Sequence, residues 1–191
     1  MSDSEGAQRR ALLKQTGAAL AAFSGVALVG CGTGQSTQNA VKRAASAVRL
    51  ADVQLLSRLL ELERRTVAAY TAGIPLLRRA QVKVVRQLLN EELEHTGQLL
   101  SLIKAAGGHA APRAASYDIG HPAGADQLLT LLHELERTQI AAYLAAIPEL
   151  SPGPVRAATA SILSSDAQHI AIVRLFQGKP PTRSALVTGR E

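Results

Sequence analysis

The chain has a single cysteine, so no disulfide can staple it internally. It has no tryptophan, and aromatic residues make up only 3% of its 191 residues. That leaves no basic stretch interleaved with aromatics of the kind on which nucleic-acid bases stack. Nucleic acid is therefore not an expected partner, despite a formal charge of +6. No segment alternates apolar and polar residues strictly, which argues against half-buried strands. The longest apolar stretch, near Gly17–Val29, is too short to span a bilayer comfortably. What is abundant is alanine and leucine, a composition that favours helix. The length suits one domain with a well-buried core.

The first thirty residues read as an address. Arg9-Arg10-Ala11-Leu12-Leu13-Lys14 is a twin arginine followed by leucines and a lysine, and the apolar stretch after it ends in Leu28-Val29-Gly30-Cys31. This resembles a twin-arginine export signal joined to a bacterial lipobox. The resemblance implies cleavage before Cys31 and attachment of lipid to its sulfur. Residues 31–48, opening on a Gly/Ser/Thr/Gln run from Gly32 to Asn39, are expected to form a flexible tether. The twin-arginine route carries proteins that are already folded, often with a cofactor inserted, which fits a metal loaded in the cytosol.

Beyond the tether the chain repeats itself. Glu61-Leu-Glu-Arg-Arg-Thr-Val-Ala-Ala-Tyr70-Thr-Ala-Gly-Ile-Pro75 recurs 73 residues later as Glu134-Leu-Glu-Arg-Thr-Gln-Ile-Ala-Ala-Tyr143-Leu-Ala-Ala-Ile-Pro148. At an offset of 74, Glu92-Leu-Glu-His95 meets Asp166-Ala-Gln-His169. Two copies of one helical hairpin are therefore expected, with helices near 50–74, 77–106, 125–147 and 153–177. Pro75 and Pro148 stop the first helix of each copy, because proline cannot continue the hydrogen-bond ladder. Residues 107–124 form the long connection, and 182–191 an unstructured tail.

Each helix carries one apolar stripe at three- and four-residue spacing. Six polar residues interrupt those stripes: Glu63, Glu92, His95, Glu136, Asp166 and His169. Glu91, Glu94 and Gln98 fall on the opposite, polar side, and His109, His121 and His133 at exposed or loop positions. Glu63 and Glu136 each lie 12 residues before their proline stop, at a common height in the bundle. Carboxylate and imidazole at i and i+3 point from one helix face to one spot. Four carboxylates in one core repel and take up protons unless something cancels their charge. Two divalent cations with two neutral imidazoles would do so. A lone Glu-x-x-His is usually incidental; two in register, each with a core-facing Glu, make a metal site the better reading. Internal hydrogen bonds or water in a relic bundle form the alternative. Tyr70 and Tyr143 are expected to pack in the core and donate to a carboxylate.

This pattern resembles the ferritin-like superfamily of di-iron or di-manganese bundles, in which two helices each give a Glu and two each give a Glu-x-x-His. The segments Ser161–His169 with Arg174-Leu175, and Tyr117-Asp118-Ile119-Gly120, resemble an exported bacterial branch with some desiccation-related members. The resemblance covers about residues 50–181. It implies an all-α, antiparallel four-helix bundle over 49–181. It also implies terminal carboxylates Glu63 and Glu136, bridging carboxylates Glu92 and Asp166, and terminal nitrogens His95 and His169. Asp166 departs from the usual Glu and is one methylene shorter, so the expected cofactor is two Fe or Mn ions, or one only. Redox chemistry on Fe(II) or peroxide is implied, with a non-enzymatic envelope scaffold as alternative and iron storage as a weaker third reading. Expected partners are the membrane, through the lipid, the export machinery and a second copy in a homodimer. The expected location is the outer face of the cytoplasmic membrane or the periplasm.

Overall fold

A computed structural model describes residues 34–183, 186 and 188–190, with side chains from Arg49 onward. Arg9, Arg10 and Cys31, and with them the export signal and lipid site, lie outside the described residues. The chain divides into two compact units, Met1–Gln38 and Asn39–Glu191. Of the first, only Gly34–Gln38 is described, as helix.

The second unit is a bundle of four helices, α1 (Gly34–Gly73, which enters this unit at Asn39), α2 (Arg79–Ala105), α3 (Ala125–Ala146) and α4 (Pro154–Phe176). The described residues contain no strand. None of their helices is long and apolar enough to cross a membrane. Seven of the eight helix boundaries fall within two residues of expectation. The start of α1 does not: it begins at Gly34, inside the stretch expected to be a flexible tether. Ala40, Ala44, Ala45 and Ala47 explain this, since alanine is the strongest helix former and outweighs the polar residues before it.

Helix ends follow local chemistry. Pro75 sits in a single 3-10 turn, Ile74–Leu76, that closes α1. At Pro148 the chain leaves α3 through a turn and re-enters helix at Pro154, whose fixed φ suits a first helical position. Gly153 there has φ 96°, a left-handed conformation that glycine adopts without steric cost.

Two apolar clusters fix how the helices run. One joins Leu56, Leu59 and Leu60 of α1 to Leu99 and Ile103 of α2, Tyr143 and Ala146 of α3, and Ile162 of α4. The other joins Ala69 and Tyr70 to Val85 and Leu88, then Leu128, Leu129, Leu132, Leu135 and Val173. The first end therefore gathers the C-terminal halves of α2 and α3 with the earlier parts of α1 and α4. Each hairpin is antiparallel within itself, while α2 and α3 run the same way. The connection 106–124 must accordingly travel the length of the bundle. Arg64 holds it, donating from Nη1 to the Ala111 carbonyl at 2.9 Å. Between the clusters lies a layer of polar residues.

Among the described residues of the tail none is helical, and Gly189 returns to the bundle. Gly189 is buried on α3, and its carbonyl accepts from Arg137 Nη1 at 3.0 Å.

At the end of α1 the two hairpins approach closely. A Cβ at Gly73 would sit 2.3 Å from Leu128 Cδ1, and Leu128 is wholly buried. Gly73→Ala is expected to lower stability by about 1–3 kcal/mol through overpacking. Leu128→Ala should relieve part of that cost, so that chemical denaturation of the double variant shows less loss than the two single losses added.

Candidate metal centre

The polar layer gathers all six residues that interrupt the apolar stripes. Glu63, Glu92, Glu136, Asp166 and His169 are wholly buried and His95 is 7% exposed. Two sets of ligand atoms form, each with its atoms within 4.8 Å of one another: Glu63, His95 and Asp166, and Glu92, Glu136, Asp166 and His169. Asp166, the residue whose short side chain put the second ion in doubt, is common to both sets. The sets cross between hairpins, since Glu63 and His95 of the first meet Asp166 of the second, and Glu136 and His169 of the second meet Glu92 of the first. His95 Nδ1 lies 3.4 Å from Asp166 Oδ1, 3.7 Å from Glu63 Oε2 and 3.9 Å from Glu92 Oε1. His169 Nδ1 lies 2.8 Å from Glu92 Oε1 and 3.5 Å from Glu136 Oε1. The two imidazoles stack with centroids 5.7 Å apart.

The tyrosines also cross. Tyr70 of α1 donates to Glu136 Oε1 at 2.6 Å, and Tyr143 of α3 donates to Glu63 Oε1 at 2.5 Å. Each hydroxyl thus fixes the acid of the other hairpin. Burial, followed by the neighbouring carboxylate charges, raises both phenols well above the usual tyrosine range, so they stay protonated donors.

Several participants were not found from the sequence. Gln139 donates from Nε2 to Glu92 Oε2 at 3.2 Å, and its Oε1 accepts from Thr66 Oγ1 at 2.7 Å. Thr66 and Gln139 hold equivalent positions in the repeat, three residues after Glu63 and Glu136, which was the available signal. Glu91, expected on the polar side, reaches back to His169 Nε2 at 2.8 Å. Ser165 Oγ also lies 3.3 Å from that nitrogen. His133, expected at an exposed position, is buried in α3 at 6% exposure. It stands three residues before Glu136 and so on the same helix face. Burial lowers its pKa and favours the neutral ring.

The charge balance is uneven. Burial, then repulsion from Glu136 and Glu63, pushes Glu92 well above the carboxylate range. Burial with the charges of Glu63 and Glu136 does the same to Asp166. For Glu63, burial pushes upward, but the nearby His95 imidazole and Glu92 carboxyl outweigh it and hold the group below its usual value. For His169, burial opposes the charge, yet Glu136 and Glu92 overcome it and push the pKa up to about 12.

The donor set fits divalent cations. Glu63 Oε2, His95 Nδ1, Glu136 Oε2 and both oxygens of Asp166 are buried without a hydrogen-bond partner. Buried polar atoms are normally satisfied, and five orphans in one layer are a costly cluster unless a cation meets them. Carboxylate oxygen and imidazole nitrogen are the ligand types that suit iron and manganese.

Residues 51–179 match the ferritin-like domain family, which is more than half of the chain. The chain belongs to the ferritin-like domain family. The fold of this ferritin-like domain is shared with the crystal structure of a conserved hypothetical protein, rv2844, from Mycobacterium tuberculosis. The two align with a TM-score of 0.64 at 20% identity over 71% of this chain and 96% of that one. No curated protein matches the chain.

The charge balance sets a pH response for the metal-free ferritin-like domain. Glu92 and Asp166, held above their ordinary 4.5 and 3.8, and His169, held above 6.5, keep protons that the unfolded chain has lost. Their contribution is complete below those ordinary values and is lost as pH rises toward the folded ones. Glu63 and Glu91, held below 4.5, act in the opposite sense: their contribution is present above 4.5 and lost on acidification. The melting temperature in a chelator is therefore expected to peak at about pH 5 and to fall through neutrality. Saturating Mn(II) should flatten the alkaline fall, because the cation replaces the protons. A metal-free melting temperature that climbs steadily into the alkaline range contradicts this assignment.

Proposed function

We propose that this ferritin-like domain holds a pair of divalent cations, iron or manganese, and carries out redox chemistry at the outer surface of the bacterial cytoplasmic membrane. The reaction classes that fit are oxidation of Fe(II) by oxygen or peroxide, and breakdown of peroxide. The observation that carries the reading is the set of five unpartnered donor atoms facing one another between two apolar clusters. When bound, such a pair of ions supplies electrons and Lewis acidity. The chain's own residues supply the rest. Tyr70 and Tyr143 hold the two terminal carboxylates in place. Gln139, braced by Thr66, holds Glu92. Glu91 accepts from His169 Nε2 and leaves Nδ1 facing the centre, the outer hydrogen bond that metal-bound histidines use to fix tautomer and ring orientation. The apolar clusters above and below keep bulk water out.

One observation favours a second reading. Both ring nitrogens of His169 have carboxylate partners at 2.8 Å, and a charged His169 would satisfy Glu92 without any metal. On that reading the domain is a non-enzymatic envelope or desiccation-type scaffold with a relic or single-metal site. Elemental analysis of protein exported in its native host separates the two. The redox reading expects iron or manganese close to two per chain, lost in Glu92→Ala/His169→Ala, and a melting temperature that rises with added Fe(II) or Mn(II) only in the wild type. A folded, metal-free wild type with no thermal response establishes the scaffold.

The location rests on the N-terminal residues: Arg9-Arg10 as the export signal and Cys31 as the lipid-bearing residue. A homodimer on the membrane surface is compatible with this arrangement. Labelled fatty acid should be incorporated into the wild type and not into Cys31→Ala; equal labelling of the two removes the anchor from the proposal.

A further inference from the structure

The two ends of the polar layer are not closed alike. On the side of α1 and α3 the layer is covered by side chains bonded to one another: Thr66 to Gln139, Gln139 to Glu92, and each tyrosine to its acid. On the side of α2 and α4 the repeat would give each histidine the same outer neighbour, but the positions differ. Glu91 of α2 is matched 74 residues later by Ser165 of α4. The outer nitrogen of His169 is therefore stoppered by a carboxylate, and the residue is wholly buried. His95 has no such stopper. It lines a cavity of about 190 Å³ between α2 and α4, together with Glu91, Glu94, Gln98, Ser161 and Ser165. Its Nδ1, on the inner side, is buried without a partner within 3.4 Å of Asp166. Glu94, Gln98 and Ser161 are exposed at the mouth.

We infer that this cleft is the route by which divalent cations reach the centre, and that the position held by Glu63, His95 and Asp166 exchanges with solvent while the one held by Glu136 and His169 is retained. The inference rests on the metal-holding reading above and adds its access route and the inequivalence of its two positions. Glu94 at the mouth, with Glu91 behind it, raises the local concentration of cations. His95 is the first imidazole a cation meets beyond them, and Asp166, common to both sets of ligand atoms, joins the exchanging position to the retained one.

Metal-free protein loaded with Co(II) reports both steps through its visible absorption. Release into excess chelator is expected in two phases of similar amplitude, the faster absent in His95→Ala. Ser161→Phe, on an exposed position of α4, should slow loading and the fast release phase severalfold without changing stoichiometry. Gln98→Phe makes the same test from α2 should that variant fold poorly. Glu94→Gln should slow loading by roughly tenfold at low ionic strength and leave release unchanged, since a mouth charge acts on approach. Ser165→Glu, which puts a carboxylate into the cleft at the repeat position equivalent to Glu91, should merge release into the slow phase. Folded cleft variants that load and release at wild-type rates, or a single release phase in the wild type, overturn the route while leaving the metal site standing. A wild type that takes up no Co(II) overturns the metal reading and the route with it.

Discussion

Four carboxylates and two imidazoles occupy one layer of a helical core, and the rest of the molecule is arranged around their burial. An isolated buried carboxylate costs several kcal/mol, and four of them together would drive the helices apart. The layer is therefore sealed above and below by separate apolar clusters and stitched laterally by hydrogen bonds. The stitches to the carboxylates run between helices: tyrosine to the opposing acid, Gln139 to Glu92, His169 to Glu91. The polar layer thus both opposes folding and fixes the register of the four helices. A slip of one residue would leave charges without partners.

Much of this was legible in the sequence because a helix writes its buried face at a fixed spacing. Glu63, Glu92, His95, Glu136, Asp166 and His169 each stand where a leucine would be expected, and the repeat placed them at matching heights. Partnership was harder to read. Tyr70 follows Glu63 by seven residues, a rise of about 10.5 Å, which is too far for a direct bond within one helix. Because a helical side chain leans back toward its own N-terminus, the phenol returns to the acid layer and meets the acid of the other hairpin. Only the packing of α1 against α3 shows that.

Glu91 and His133 failed for a different reason. A two-faced description assigns each position to core or solvent, yet the flank of a helix in a bundle faces the next helix. Glu91 sits on such a flank and reaches His169 across it. His133, expected at an exposed position, shares the face of Glu136 and is buried with it. The beginning of α1 is hidden by its polar opening run, behind which stand the helix-forming Ala40, Ala44, Ala45 and Ala47. Arg64, beside the core-facing Glu63, gave no hint that it would hold the long connection.

The crossing of the tyrosines has a consequence for how such a molecule could arise. Neither hairpin can complete its own acid, since each phenol serves the other half, so a single hairpin is stable in this form only beside a second one. Two identical hairpins paired by two-fold symmetry would satisfy that need, but symmetry would force the same residue at both flank positions. Joining the halves in one polypeptide removes that obligation. A glutamate can then stand behind one histidine and a serine at the corresponding place in the other half, which gives the single chain something a symmetric pair could not have, a front and a back.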